Sequence, residues 1–392
     1  MNILCLSSEF KGIPFFTSSK KNGANIYLIT GEKNRNKPWP NDCLEEIFYV
    51  KQEGEPAQWN MEDIIAGTAH FLRSVKIDRI VALDDYEVEK AAELREHFRI
   101  PGMGQSTQRH FRDKLGMRMK AKDEGVPHPA FSSLFNDEQI NHFANTVSAP
   151  WVVKPRGAAS AQGITKCHSK EELWEVIHKL GDERHQYLVE QFKPGHVYHV
   201  DSLSKDGKVL FTRCSQYLET PLNVVKGGVF STHVMPYSDK DTKELQKLNK
   251  SLLSKFGLIE GASHSEFIKC HDDGKFYFLE TSSRVGGAHI AEMVEFSSGM
   301  GLWSEWANIE YASHTKKGYK LPKIQKDYAG LIVSLSRFEK ADYSKFTDPE
   351  ICWKIDKPYH VGIIIKSKSY DRVRELLEKY TQLIGEDFLA KG

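Results

Sequence analysis

The sequence lacks the features that mark several large classes of protein. Its 392 residues include only six cysteines, with no C-x-x-C pair and no cysteine and histidine spacing suited to zinc. Scattered cysteines of this kind indicate reduced thiols, which favours a cytoplasmic location. No window approaches the about 18 consecutive apolar residues of a membrane-spanning helix, and the N-terminus has no signal-peptide pattern. The sequence therefore predicts neither secretion nor a membrane partner.

A net charge of either sign is also missing. The chain has 54 Lys and Arg residues against 53 Asp and Glu residues, which leaves a formal charge of +1. Such a chain has no overall field for gathering nucleic acid or anionic lipid, so we expect a small-molecule partner. The length exceeds what one hydrophobic core usually supports and predicts two or three domains.

The periodicity of apolar residues changes along the chain. Over residues 1–105, short apolar runs alternate with segments of helical period, which predicts an open parallel α/β domain. No G-x-G-x-x-G follows the first apolar run, so the dinucleotide-binding fingerprint is absent. After residue 105 a basic helix leads into a β-rich region at about 147–235, and the segments beyond about 320 are typical of a small α/β region. The predicted fold class is a multidomain α/β and α+β protein.

A glycine-rich segment, "VVKPRGAASAQGITKC", lies at residues 152–167. It predicts a strand ending near Lys154, a loop of small residues that contains Gly157, Ser160 and Gly163, and a second strand. Small residues let backbone N–H groups approach phosphate oxygens, and the lysine adds a positive charge. The loop is not a Walker motif, because no G-K-[ST] opens a helix after it. An ordinary hairpin with a mobile turn is the alternative.

The next segment, "HQYLVEQF" at residues 185–192, is extended and ends at Lys-Pro-Gly. A strand that breaks in this way offers unpaired backbone groups to the edge of an adenine ring. Glu190 could accept a hydrogen bond from the exocyclic amine. The alternative is an edge strand that simply ends at a turn.

Two glutamates face each other in a predicted hairpin. Glu266 and Glu280 lie seven residues on either side of Asp273, and Gly274 stands where a three-residue hairpin loop requires a left-handed residue. Like charges directly opposite each other destabilise a sheet. A Mg²⁺ ion removes that conflict, because it binds one or two carboxylates together with phosphate oxygens and water. The hairpin therefore predicts a metal site.

Two further residues follow on the same strand. Ser282 and Arg284 share a face with Glu280 by the period of two, unless a bulge intervenes. The alternative to a metal site is a solvated face on which Arg284 pairs with one of the glutamates.

The order of these segments resembles the ATP-grasp superfamily over roughly residues 105–310. The likeness rests on Lys114 before "VPHP", Lys154 before the glycine-rich loop, Glu190 in "LVEQF", Glu266, and "ETSSR" at 280–284. The segments "GHVYHVD", "GASHSEF" and "RVGGAHI" look most like the carboxylate-amine ligases that include L-amino-acid (dipeptide) ligases. The resemblance implies a pre-ATP-grasp domain over 1–105 and an ATP-grasp fold of two α+β subdomains over 106–310. A phosphate-covering subdomain would lie at about 120–192, and a C-terminal α/β region over 311–392 would complete the ligase.

The resemblance also implies roles for single residues. They are Lys114 and Lys154 on the phosphates, Glu190, Gln191 and Phe192 at the adenine, Glu266, Glu280 and Ser282 on magnesium, and Arg284 at the reacting carboxyl, with backbone N–H groups of Gly286 and Gly287 assisting. His233 is a candidate substrate contact or amine base. Many family members have asparagine at the place of Ser282 and an acid near Val197 that holds the ribose, so this chain departs from the pattern twice.

The predicted function is an ATP-dependent carboxylate-amine ligase that works through an acyl phosphate. It would use ATP and Mg²⁺, with Mn²⁺ as an alternative ion, act on a small carboxylate and an amine, and assemble as a homodimer. Two alternatives stay open: a phosphotransferase whose attacking group is a hydroxyl, and a nucleotide-binding protein without turnover. The candidate substrate-pocket residues, each of which could equally belong to the core, are Arg213, Tyr217, Phe230, His289 and Trp303.

Overall fold

A computed structural model describes residues 1–53, 58–158, 162–225 and 227–390. The N-terminal domain is built on a four-stranded parallel sheet of order β3-β2-β1-β6. Its strands are β1 (Asn2–Ser7), β2 (Asn25–Gly31), β3 (Glu46–Val50) and β6 (Arg79–Ala82), with a separate short pair of β4 (Gln52–Glu53) and β5 (Gln58–Trp59). Its helices are α1 (Ile13–Lys21), α2 (Met61–Phe71) and α3 (Val88–Phe98). The near-continuous apolar run of β1 is buried, as expected for a parallel sheet covered by helices.

The middle of the chain forms a second, smaller sheet of order β7-β10-β8-β9, in which all pairs are antiparallel. Its elements are α4 (Gln105–Gln108), α5 (Lys114–Asp123), β7 (Phe131–Ser133), α6 (Asp137–Thr146), β8 (Trp151–Pro155), β9 (Thr165–Cys167), α7 (Lys170–Leu180) and β10 (Tyr187–Gln191). Strand β10 pairs on both sides, so the interpretation of this segment as an edge strand is wrong. Helix α5 begins after Asp113, whose side chain accepts from the Leu115 backbone N–H.

The largest sheet has eight strands, all antiparallel, in the order β15-β14-β11-β12-β13-β16-β18-β17. The strands are β11 (Gly195–Lys205), β12 (Lys208–Tyr217), β13 (Phe230–Val234), β14 (Gly261–Cys270), β15 (Phe276–Ser282), β16 (Tyr328–Leu335), β17 (Ile351–Lys354) and β18 (His360–Ser367). The helices are α8 (Pro221–Val225), α9 (Lys240–Phe256), α10 (Ile290–Ser298), α11 (Leu302–Thr315) and α12 (Tyr370–Asp387). The C-terminal strands β16 to β18 thus extend the sheet that carries the hairpin.

The N-terminal domain and the large sheet share one hydrophobic core. Helix α1 packs on α11, and the rings of Phe15 and Trp306 meet edge to face at 5.3 Å between centroids. The same cluster includes Leu331 of β16 and Ile364 of β18. Burial of these apolar side chains stabilises the contact between the two regions. Within the described ranges, no helix is both long and apolar enough to cross a membrane.

Candidate active site

A cavity of about 590 Å³ lies where the three sheets converge. Its volume is typical of small-molecule sites. The polar and apolar residues that line it lie between positions 85 and 290 and include Asp85, Lys114, Lys154, Glu190, Gln191, Phe192, Val197, Tyr217, Phe230, His264, Glu266, Glu280, Ser282, Arg284 and Gly287. Most of the residues that the sequence singled out therefore border one space.

The hairpin of β14 and β15 places its two glutamates opposite each other. Glu266 pairs with Glu280, as the sequence predicts, and Gly274 in the loop has a left-handed φ of 68°. The register, however, contains a bulge: Phe267 pairs with Phe278, so Leu279 is the extra residue. Without that extra residue Glu280 would point to the other face of the sheet. The bulge therefore decides that the two carboxylates meet.

Each glutamate has a partner within the protein. Lys114 Nζ lies 2.9 Å from Glu280 Oε2, and the Tyr217 hydroxyl donates to Glu266 Oε1 at 2.8 Å. Burial opposes ionisation of Glu280, but the charge and hydrogen bond of Lys114 and the charge of Lys154 together outweigh burial and lower the pKa of the carboxyl. The repulsion that a metal ion was expected to relieve is thus already reduced by side chains. The facing pair alone no longer requires a metal.

Glu190 is the centre of a buried ion cluster. Its two oxygens lie 2.8 Å from Arg118 Nε and 2.8 Å from Lys154 Nζ. Burial disfavours the charge of Glu190, yet Arg118 and Lys154 hold the pKa of its carboxyl below the usual value. Burial also lowers the pKa of Lys154 to about 8, with Glu190 opposing the shift. Glu190 thus borders the cavity while it is held between two cations, and its predicted contact with an adenine amine stays a prediction.

The backbone next to Glu190 also differs from expectation. The N–H groups of Gln191 and Phe192 donate to the carbonyls of Ala130 and Pro150, at 2.8 and 2.9 Å. They are therefore not the unpaired donors that the sequence predicted. Both residues nevertheless line the cavity, and the Phe192 ring supplies an apolar surface there.

Arg118 is a cluster member that the sequence analysis missed. It lies one helical turn after Lys114, so both project from the same side of α5. Besides contacting Glu190, it donates to the carbonyl of the bulged residue Leu279 at 2.5 Å. Its position in a run of basic residues hid this role. The i, i+4 spacing from Lys114 is the signal that could have revealed it.

Arg284 is anchored by an acid from the N-terminal domain. Its Nε donates to Asp85 Oδ2 at 2.8 Å, and Ser282 donates to the other oxygen of Asp85. Although burial opposes ionisation, Arg284 and Ser282 hold the pKa of Asp85 well below its usual range. Arg284 therefore pairs with neither glutamate. Asp85 was missed, although its position just after the carboxyl end of β6 is where α/β sheets bind ligands.

Behind Glu266 lies a buried chain of hydrogen bonds that the sequence did not reveal. Asp201 contacts Nδ1 of His199 at 2.7 Å and Nδ1 of His264 at 2.9 Å. His264 Nε2 lies 3.6 Å from Glu266 Oε1. Burial disfavours the imidazolium, but Asp201 and Glu266 together outweigh burial and raise the pKa of His264 to about 9. His264 and the Tyr217 hydroxyl thus both lie next to Oε1 of Glu266.

Comparison with known proteins is consistent with this geometry. Residues 111–288 match the model of the ATP-grasp domain. An L-arginine-specific L-amino acid ligase of Bacillus subtilis is 25% identical over 319 residues, which cover 79% of this chain and 75% of the relative. The chain thus contains an ATP-grasp domain. A D-alanine–D-alanine ligase of Neisseria gonorrhoeae is 25% identical over 217 residues, covering 52% of this chain and 67% of that enzyme.

The ATP-grasp assignment extends to the fold of the whole chain. The crystal structure of an L-amino acid ligase from Bacillus licheniformis superposes with a TM-score of 0.75 at 17% identity, covering 100% of this chain and 99% of that one. The fold class predicted from the sequence is thereby confirmed.

One predicted site residue lies away from the ATP-grasp cavity. His233 is fully buried beneath α12, where its Nε2 accepts from Arg374 at 2.8 Å. Burial and the nearby Arg374 lower its pKa to about 3. It does not border the cavity, and its ring nitrogen is already engaged. The proposal that His233 contacts substrate or acts as a base is therefore wrong.

The glycines occupy several environments. Gly287 lines the cavity of the ATP-grasp site, whereas Gly286 is buried against Asp201, whose Oδ1 would lie 2.8 Å from an added Cβ. Gly157 and Gly163 are exposed on the glycine-rich loop, and Gly163 has a left-handed φ of 71°. Ser160 lies outside the described residues.

The five candidate pocket residues fall into two groups, those that line the cavity and those that pack elsewhere. Tyr217 and Phe230 line the cavity. Arg213 is fully buried against the Tyr237 ring, the rings of Trp303 and Trp306 stack, and the His289 ring contacts Trp353 at 4.6 Å between centroids. Arg213, Trp303 and His289 therefore pack against other side chains outside the cavity. This agrees with the alternative that these residues belong to the core.

Proposed function

We propose that this protein is an ATP-dependent carboxylate-amine ligase that forms an amide bond through an acyl phosphate and releases ADP and phosphate. The observation that carries the proposal is that three sets of charged side chains border one cavity. These are the lysines Lys114 and Lys154, the facing glutamates Glu266 and Glu280, and an arginine held by Asp85. The ligases among its relatives favour an amino acid as one substrate.

The residues at the hairpin suit a Mg²⁺ ion, with Mn²⁺ as the alternative. Glu266 and Glu280 supply hard oxygen ligands on one side of the cavity, and the Glu280 side chain is 34% exposed. Ser282 donates its proton to Asp85, which leaves lone pairs on its oxygen. Bound there, the ion would neutralise charge on the transferring phosphate. The metal ligands remain a proposal that rests on the chemistry of these donors.

The side chains have separable tasks in the reaction. Lys114 and Lys154 bind the phosphates of ATP while the substrate carboxylate attacks the γ-phosphoryl group. Arg284 orients that carboxylate. When the amine attacks the acyl carbon of the acyl phosphate, the same guanidinium stabilises the tetrahedral oxyanion, and phosphate leaves. The Asp85 contact fixes the direction in which Arg284 presents its donors.

The aromatic walls of the cavity favour an amino acid over a larger and more polar substrate. Tyr217 and Phe230 pack edge to face at 5.6 Å between centroids, and residues of α8 border the same space. Such walls exclude water from an acyl phosphate, which would otherwise hydrolyse. The homodimer and the cytoplasmic location stay predictions.

Phosphate release with ATP, Mg²⁺ and paired amino acids tests the function, with mass spectrometry of the products. We expect a condensed product. Glu280→Gln should lower turnover by at least about 100-fold, because the metal ion loses a carboxylate ligand. Glu244→Gln on the exposed face of α9 is the matched control and should keep wild-type rates. Wild-type turnover in Glu280→Gln would refute the assignment of that glutamate.

The two alternatives give different products in the same assay. A phosphorylated substrate without condensed product would identify a phosphotransferase. Stoichiometric ATP binding without ADP release over the whole panel would identify a binding protein without turnover.

A further inference from the structure

A second cavity, of about 240 Å³, lies on the opposite side of the strand end that carries Ser282 and Arg284. It is enclosed by strand β6, helix α3, residues 101–108, the turn before β14 and helix α11. It shares none of the residues that border the ATP-grasp cavity. The two spaces are therefore separate.

The charged groups around this second cavity contact one another only loosely. Arg79 lies 3.7 Å from Glu260 and 3.6 Å from Glu310, both beyond hydrogen-bond distance. Within the described part of the chain, Arg79 Nε has no hydrogen-bond partner although it is buried. The ion pairs of Glu190, by contrast, measure 2.8 Å. The groups at the cavity thus keep unused capacity for a ligand.

The other charged side chain in the wall is already satisfied. Arg95 donates to the carbonyls of Met103 and Ile80, each at 2.8 Å, and so serves to hold the chain in place. Glu310 accepts from Trp306 at 3.0 Å through Oε1, which leaves Oε2 beside Arg79. The cavity therefore offers one cation and two carboxylates.

We propose that this cavity is a second binding site for a small zwitterion of the amino-acid class. The carboxylate of the ligand pairs with Arg79, and its ammonium group lies between Glu260 and Glu310. The volume and the apolar wall of Val88 and Ile80 suit a short side chain. A ligand with only one charge would leave either the arginine or the glutamates unpaired, which is costly in a buried site.

The site is placed to influence the reaction. Ser283 lines the second cavity, and its neighbours Ser282 and Arg284 line the first, because successive residues of an extended strand point to opposite faces. Gln108 donates to Ser283 Oγ at 2.8 Å and so ties the strand end to the wall of the second cavity. If an occupant shifts this strand end, the occupant and the substrate alter each other's affinity by the same factor. This coupling, unlike the binding itself, rests on the proposed ligase activity.

Crystals of the wild-type protein soaked in L-alanine without ATP test the binding. We expect alanine between Arg79 and Glu310. In crystals soaked in acetate or ethylammonium instead, we expect no ligand in this cavity. Ordered water alone at a saturating alanine concentration would overturn the proposal. This experiment involves no turnover, so its result does not depend on whether the protein is a ligase.

Calorimetric titration of L-alanine into the protein supplies the variant test. Glu310→Gln keeps an acceptor for Trp306 but loses the charge, and Arg79→Met removes the cation at similar length. Each should weaken the alanine-binding event of this site by at least about 10-fold, since a hydrogen bond to a charged group is lost. Unchanged alanine affinity in both folded variants would also overturn the proposal.

Discussion

At the scale of single residues, the site is organised by contacts that join distant parts of the chain. Asp85 of the N-terminal domain holds Arg284, and Glu190 is held between Arg118 and Lys154. In both cases the charge is buried and its partner is essential, because removing one member leaves the other uncompensated. These pairs fix where the cationic groups point.

Asp85→Asn should impair both stability and catalysis. The change leaves Arg284 without its counter-charge, which we expect to lower the free energy of unfolding by about 3–5 kcal/mol and kcat by about 100-fold. Urea unfolding and steady-state kinetics measure the two effects. The double variant Asp85→Asn/Arg284→Met should regain stability but not activity. A single variant with wild-type kcat would contradict the positioning role of Asp85.

Lys154 should make ATP binding sensitive to alkaline pH. Its pKa is lowered to about 8 by burial, so the side chain loses its proton, and its attraction for phosphate, as the pH rises through that value. We expect the KM for ATP to rise by about 10-fold between pH 7 and pH 9, because roughly a tenth of the lysine stays charged at the higher pH.

The matched control is Lys154→Arg, whose guanidinium stays charged over this range. If the arginine variant shows the same rise in KM, another group is responsible. The KM for ATP is the informative quantity, because kcat also responds to deprotonation of the attacking amine.

At the scale of elements, the β14–β15 hairpin shows which structural features the local sequence predicts and which it does not. The apolar flanks and the left-handed Gly274 follow from the sequence because turn chemistry is local. The predicted three-residue loop is wrong, because the Cys270 N–H donates to the Lys275 carbonyl and leaves residues 271–274 in the loop. The Leu279 bulge does not, since Arg118 binds the Leu279 carbonyl from a distant helix. The count that placed the two glutamates opposite each other was right in outcome, but the register that produces it depends on this bulge.

Two glycine substitutions separate backbone conformation from packing. An added Cβ meets no atom within 4 Å at either Gly274 or Gly67. Gly274→Ala should lower the free energy of unfolding by about 1–2 kcal/mol, because its φ is left-handed. Gly67→Ala, in the exposed interior of α2, should raise it by about 0.5–1 kcal/mol. Equal effects of the two changes in thermal unfolding would contradict this explanation.

At the scale of the whole molecule, the C-terminal region completes a sheet rather than forming its own. Strand β16 pairs with β13, and β18 pairs with β16. Leu331 and Ile364 from these strands share a core with Phe15 of the N-terminal domain. The boundary expected near residue 311 therefore separates stretches of sequence that pack around the same apolar cluster.

Removal of residues 316–392 should prevent independent folding of the remainder. It would expose the edge of β13 and the apolar residues that β16 and β18 cover, so we expect aggregation. Size-exclusion chromatography and binding of a hydrophobic dye measure this. Coexpression of the 316–392 segment should restore soluble protein. A monomeric, cooperatively unfolding 1–315 chain would show that the region is dispensable for the fold.

The sequence by itself determined the order of elements, the facing glutamates and the ATP-grasp domain, because spacing, turn residues and motif order are local properties of the chain. Only the tertiary structure decided which side chains pair: Asp85 with Arg284, 199 residues apart, and Asp201 with His264. It also removed His233 from the site and placed Glu190 between Arg118 and Lys154. Ion pairs and hydrogen bonds depend on distances of a few ångströms, and distances between remote segments are set by the packing of the sheets.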